Sequence, residues 1–428
     1  MNRVHLLRFP APYRAALALS NDPDDLWDPR GWWEFLRFLN TREITASGPG
    51  LGLEAGDAFW FWSDHGDEQP GSYFEGLTEK PSAFAPLIGA LGRSGYLDTL
   101  HSYGNFSRHG GFRRNHAERA AAVLGDEGFA PRVWVNHGGA HDFQNLWTGC
   151  GDVPENPEAR GAPAPEYHLD ITRKLGLRYA WIGDLTGTPG QGRSLGPRDW
   201  LHAASPVRRD AMGHLARGLA RRLAYRNILA AYPNYSTLRN PLFTTRTFRD
   251  DTVARTFARY GNFGRATFAD LGWLLRPYFL DALEAGGGLS VVFVHWSRHP
   301  GRAFRDLPGS GLEGLRRLAE RAHDGRIWVT TTGRLLAYWE ARQALRVHEA
   351  GESGETVVTL DADRLPDGRE LAVEDLAGIT LRVPDPRRVR VLWKGTPLAV
   401  EPSPGGTDTV WVPWKSLVFP EPPKEFRR

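Results

Sequence analysis

The stretch 15-AALALSNDPDD-25 runs from an unbroken apolar segment straight into carboxylates. Apolar residues without alternation mark a parallel strand buried on both faces. In α/β folds, ligands bind where such strands end. The same design recurs along the chain. Further strands are predicted at 58-AFWFW-62, 96-YLDTLHS-102, 132-RVWVN-136, 178-RYAWIG-183, 242-LFTTRTF-248, 290-SVVFVHW-296 and 326-RIWVTT-331. Helical patterns lie between them: Pro29 to Leu39, Pro81 to Leu91, Arg114 to Leu124, Tyr167 to Leu175, Arg209 to Ala231, Thr267 to Ala285, Leu312 to Ala322 and Gly333 to Leu345. Repeated strand-then-helix units predict an α/β fold with a parallel sheet and right-handed crossovers. Seven or eight such units suggest a barrel, complete or partial, over residues 1–345.

Beyond residue 345 the pattern changes. Turn residues recur at 351-GESGE-355, 366-PDG-368, 384-PDP-386 and 403-SPGG-406, separating short strands such as 356-TVVTL-360, 388-RVRVLW-393 and 409-TVWVPW-414. Residues 346–428 are therefore expected to form a small C-terminal antiparallel β module. The last residues, 419-FPEPPKEFRR-428, read as a loose tail.

Composition narrows the function classes. Hydrophobic residues make up 41% and charged residues 24% of the 428, so a mainly disordered chain is excluded. Lys plus Arg is 53 against 50 Asp plus Glu, and the basic run 217-RGLARRLAYR-226 has the spacing of a solvated helix face. No nucleic-acid partner is expected from that balance. The single cysteine, Cys150, rules out an intrachain disulfide and suits a reducing compartment. No stretch approaches a membrane span of ~20 apolar residues. The arginine-interrupted start, 1-MNRVHLLRFPAPYR-14, lacks a secretory pattern, so a cytoplasmic protein is expected. Nothing in the sequence assigns an oligomeric state.

Polar residues gather where strands are predicted to end. In the pair Asp22 and Asp24, one carboxylate can hold a divalent metal while the other accepts a proton; alternatively an aspartate here caps a helix. His101 is a candidate zinc ligand or a structural histidine, and Asn105 follows at same-face spacing if a helical turn forms. The stretch 136-NHGGAHDFQN-145 offers His137, His141 and Asn145, with Gly138 and Gly139 permitting close backbone approach to a ligand or simply forming a turn. His295, inside 291-VVFVHW-296, is either a core histidine or a general acid at a strand end. Asn136, Gly138, His141 and Trp296 are the candidates for contact with substrate. Walker A, GxSxG and CxxC sequences are absent.

The order of these pieces resembles the polysaccharide deacetylases, the family-four carbohydrate esterases. Their fold is a distorted, usually seven-stranded barrel, which implies a distorted (β/α)7-type barrel for residues 1–345. The stretch 18-ALSNDPD-24 resembles their Asp-x-Asp motif, which implies Asp22 as base and Asp24 as metal ligand. The stretch 101-HSYGN-105 resembles His-Ser/Thr-x-x-His, with Asn105 standing where the second histidine belongs. The strand ending 292-VFVH-295 resembles the late motif, implying His295 as general acid. The ending 326-RIWVTTTGRLLAYWEAR-342 resembles the last strand and helix. The resemblance spans residues 10 to 342 and implies Zn2+ or another divalent ion, held by Asp24, His101 and a third group from Asn105, His137, His141 or His109. The family arginine that orients the base has no owner at Asn136-His137-Gly138, and Asp250 or Asp251 is the candidate for the fourth motif. The implied activity is removal of N-acetyl groups from an amino sugar in a polysaccharide or its precursor. Two alternatives stand beside it: a noncatalytic carbohydrate-binding protein on a degenerate barrel, and a metal-free glycoside hydrolase with two carboxylates flanking the sugar.

Overall fold

A computed structural model describes residues 4–64, 71–106, 111–137, 144–146, 166–192, 240–248, 251–261, 264, 266–297, 304, 307–352 and 355–426. Within these residues the chain is a mixed α/β structure. The N-terminal segment gives β1 (His5–Leu6), then β2 (Ala15–Asn21) and α1 (Pro29–Asn40). Next come β3 (Asp57–Phe59), α2 (Ala85–Arg93), β4 (Leu97–Leu100), α3 (Arg114–Glu127), β5 (Val133–Val135) and α4 (Leu169–Lys174). Next in order are β6 (Tyr179–Trp181), β7 (Leu185–Thr186), β8 (Phe243–Thr247) and β9 (Val253–Phe257). The α/β part closes with β10 (Arg259–Tyr260), α5 (Pro277–Ala285), β11 (Leu289–Val294), α6 (Gly309–His323), β12 (Ile327–Val329) and α7 (Thr332–Ala344).

These strands make two largely parallel sheets, ordered β8-β9-β6-β5-β4-β3 and β7-β10-β11-β2-β12. The segments 179–186 and 253–260 run side by side through both, since β6 pairs with β9 in one sheet and β7 with β10 in the other. Every residue of β2 and β11 is buried, as continuous apolar runs require. Their register aligns Ala16 with Leu289 and Asn21 with Val294. That register brings Asp22 and His295, the next residue of each chain segment, to one edge, where the Asp22 N–H donates to the Val294 carbonyl (3.0 Å).

The structure departs from the sequence reading in several places. Residues 243–247 are antiparallel to β9, not a further parallel strand. Only residues 248–252 separate the two in sequence, too few for the crossover that parallel pairing needs. The helix expected over Thr267 to Ala285 is broken into a 3-10 turn (Phe268–Asp270), one short helix (Leu271–Leu274) and α5, which Pro277 begins. The helix expected over Arg209 to Ala231 lies outside the described residues, as does the basic run 217–226.

The C-terminal residues give β13 (Leu345–Glu352), β14 (Glu355–Ala362), β15 (Thr380–Arg382), β16 (Val389–Trp393), β17 (Thr396–Pro397), β18 (Glu401–Pro402) and β19 (Thr409–Trp411). They are not purely antiparallel, because β14 pairs with β16 in parallel. The connection between that pair passes through β15, which belongs to a second sheet ordered β1-β15-β19-β18. The N-terminal β1 is thus a strand of the C-terminal sheet, paired His5 to Arg382 and Leu6 to Leu381. Nor is the start of the final segment loose: the Phe419 ring packs on Trp33 and Tyr96. Among the described residues, no helix is long and apolar enough to cross a membrane.

Candidate active site

Asp22 and Asp24 follow directly from β2, and both side chains are buried. Asp22 is gripped by a residue the sequence reading overlooked. The Arg259 guanidinium donates to both its oxygens, Nη1 to Oδ1 at 2.6 Å and Nη2 to Oδ2 at 3.1 Å, and Nη1 also reaches Ser20 Oγ at 3.3 Å. Arg259 is fully buried, lying 3.5 Å over the Trp181 ring and 4.2 Å over Phe293. Planar aromatic neighbours and a bidentate carboxylate are what a buried guanidinium needs. Burial acts to raise the Asp22 pKa, but Arg259, with His101 and His295, outweighs it and holds the carboxyl below its usual value. Burial also pulls the guanidinium down, against the attraction of Asp22.

Asp24 faces three imidazoles. Its Oδ1 is 3.4 Å from His101 Nε2 and 3.6 Å from His137 Nδ1, and its Oδ2 is 3.4 Å from His295 Nε2. His101 Nε2 and His137 Nδ1 lie 3.1 Å apart. Burial works against ionisation of Asp24, yet hydrogen bonding to His101 and His295 keeps its pKa well below the usual carboxylate range. Burial pushes His137 down to about 4, despite the pull of Asp24. A neutral imidazole is the form that ligates a metal.

Asp24, His101 and His137 together could hold an ion. The fit is geometric. Three atoms around a tetrahedral zinc at about 2.1 Å are about 3.4 Å apart. The observed separations of 3.1, 3.4 and 3.6 Å bracket that value. Trp60 braces the group from behind, its ring stacked on His101 (centroids 5.6 Å, 23°) and edge-on to His137 (5.2 Å, 88°).

The site residues named from the sequence fall into three sets. Asp22, Asp24, His101, His137 and His295 converge: His295 Nε2 also lies 4.0 Å from Asp22 Oδ2, and His101 Nδ1 lies 3.9 Å from Asp22 Oδ1. Others are placed elsewhere. Asn105 does not sit on a helical turn with His101. The chain bends at Ser102 (φ 50°), and Gly104–Asn105 extend as a short strand beside Trp62 and Ser63. A Cβ at Gly104 would lie 2.5 Å from the Trp62 carbonyl oxygen, which explains the glycine. Asn136 spends its amide inside the chain: Oδ1 accepts from Trp134 Nε1 (2.8 Å) and Leu146 N (3.0 Å), and Nδ2 donates to the Leu146 carbonyl (2.8 Å). Trp296 is fully buried, with its indole N–H donating to Asp57 Oδ2 at 2.9 Å. A third set, His109, Gly138, His141 and Asp250, lies outside the described residues.

Asp57 was not read from the sequence either. Its buried carboxylate accepts from Asn21 Nδ2 (2.7 Å), Trp32 Nε1 (2.8 Å), Trp296 Nε1 (2.9 Å) and the Ala58 N–H (2.7 Å). Burial pushes its pKa up to about 6 in spite of those donors. Asn21 Oδ1 in turn accepts from the Trp296 N–H at 2.8 Å. Asp57 therefore ties together the ends of β2 and β11, the residues flanking Asp22 and His295. The chain matches no known family model, no curated protein and no solved structure.

Proposed function

We propose that the chain is a divalent-metal hydrolase that removes an N-acetyl group from an amino sugar, on a barrel-like arrangement of its two parallel sheets. The observation that carries this reading is the meeting of Asp24, His101 and His137 beside a second carboxylate, Asp22, and a third imidazole, His295. A noncatalytic sugar-binding site has no need of such a cluster, and a metal-free glycosidase would set its two carboxylates on opposite sides of the sugar.

In this reading Asp24, His101 and His137 hold the ion, with zinc the best match to an Asp-His-His set. Bound there, it would polarise the acetyl carbonyl and lower the pKa of water. Asp22 is the base that accepts the proton of the attacking water. Arg259 fixes both Asp22 oxygens, so the carboxylate keeps one orientation while the charge around it changes. His295, from the neighbouring strand, donates a proton to the departing sugar amine. Acetate and a free amine are the products.

The test is release of acetate from N-acetylated amino sugars and their oligomers, compared between the wild type and Asp22→Asn. The wild type should release acetate; the variant should lose about 10²–10⁴-fold in rate while keeping its metal. Wild-type protein that carries metal but releases no acetate from any of these substrates would sink the substrate assignment.

A further inference from the structure

Residues 136–137 and 145–146 are tied to one another by four hydrogen bonds. Besides the Asn136–Leu146 bonds, the His137 N–H donates to Asn145 Oδ1 (3.0 Å), and Asn145 Nδ2 donates back to the His137 carbonyl (2.7 Å). The neighbouring Gln144 turns the other way. Its Oε1 accepts from Tyr103 N (2.9 Å) and Gly104 N (3.2 Å), and its Nε2 donates to the Gly104 carbonyl (2.5 Å). Those backbone groups lie just past His101, on the far side of the left-handed Ser102. Both Gln144 and Asn145 are buried.

Two adjacent side chains thus grip the two segments that carry the histidine ligands. The Gln144 backbone is anchored as well, since its carbonyl accepts from His168 Nε2 at 2.8 Å. The parallel ladder of β4 and β5 ends at the pair Leu100 and Trp134, and beyond it these side-chain amides continue the tie between the two segments.

We infer that Gln144 and Asn145 are positioning residues that set the spacing between His101 and His137, and through it the affinity and coordination geometry of the metal site; the inference rests on the metal reading above. Neither residue touches the ion in this account. The test is titration of metal-free wild type, Gln144→Met and Asn145→Ala with Zn2+, together with the visible absorption of each with Co2+, after near-ultraviolet circular dichroism has established folding. Both folded variants should bind Zn2+ about 10–100-fold more weakly and show altered cobalt bands, a signature that loss of stability alone leaves untouched. Folded variants with wild-type affinity and a wild-type cobalt spectrum overturn the inference while leaving the metal site standing. Wild-type protein that takes up neither ion overturns both. Should Gln144→Met not fold, Asn145→Ala decides by the same two readings.

Discussion

Arg259 sits where the sequence offers least warning. The segment 253-VARTFARY-260 carries two arginines, Arg255 and Arg259, that read alike, and only the pairing of Tyr260 with Val292 of β11 sets Arg259 beside Asp22. The usable signal was the demand of any arginine buried in a sheet for a carboxylate partner. Asp22, Asp24, His101 and His295, by contrast, were legible because each lies at or just past the end of an expected strand. Asn105 misled because its spacing assumed a helical turn that Gly104 and its close contact with Trp62 forbid. The bidentate grip has a direct consequence. In Arg259→Lys the charge remains but the planar fork is lost. We expect kcat to fall by about 10²-fold with metal content unchanged, as read by steady-state kinetics alongside elemental analysis; equal rates would mean that Asp22 needs no such orientation.

At the scale of elements, the site is a matter of register and of loop anchoring. The β2–β11 pairing aligns the two segments so that a base and an imidazole meet at one edge, and Asp57 locks that edge to α1 through Trp32. The loop anchors were not legible, because Gln144 and His168 act through long-range bonds with no local pattern. His168 is wholly buried, its Nε2–H donating to the Gln144 carbonyl and its Nδ1 lying 2.7 Å from the Thr172 hydroxyl, which itself meets Tyr103 Oη at 2.7 Å. Burial lowers its pKa to about 4. The unfolded chain, with a pKa near the usual value of about 6.5, therefore binds a proton that the folded chain refuses. Stability from this residue is complete above about pH 6.5 and is lost as pH falls towards 4, by about 3 kcal/mol. Denaturant unfolding of His168→Gln across that window should show a shallower loss of stability on acidification than the wild type. An unchanged slope would mean that His168 takes up its proton in the folded protein.

Over the whole molecule, the alternation of strand and helix was readable because apolar period and turn residues are local properties. The closing arrangement was not. The pairing of β1 with β15 joins residues 5–6 to 381–382, and Leu417 N–H donates to Glu54 Oε2 at 2.9 Å. Phe9 stacks on Trp339, and Arg342 donates to the Leu6 and Leu7 carbonyls. Both ends of the chain thus bind elements far away in sequence, which no window of residues reveals. The tryptophans tell a similar story: Trp32, Trp60, Trp62, Trp134 and Trp296 are core residues, and several serve the site from behind instead of facing a sugar. One proposal underlies the chemistry of the site, that Asp24, His101 and His137 hold a divalent ion. The most direct test is the metal content of purified wild type and His137→Ala, by elemental analysis after zinc loading and desalting. The account requires about one ion per chain in the wild type and a large loss in the variant; a wild type that retains none, or a variant that retains as much, contradicts it.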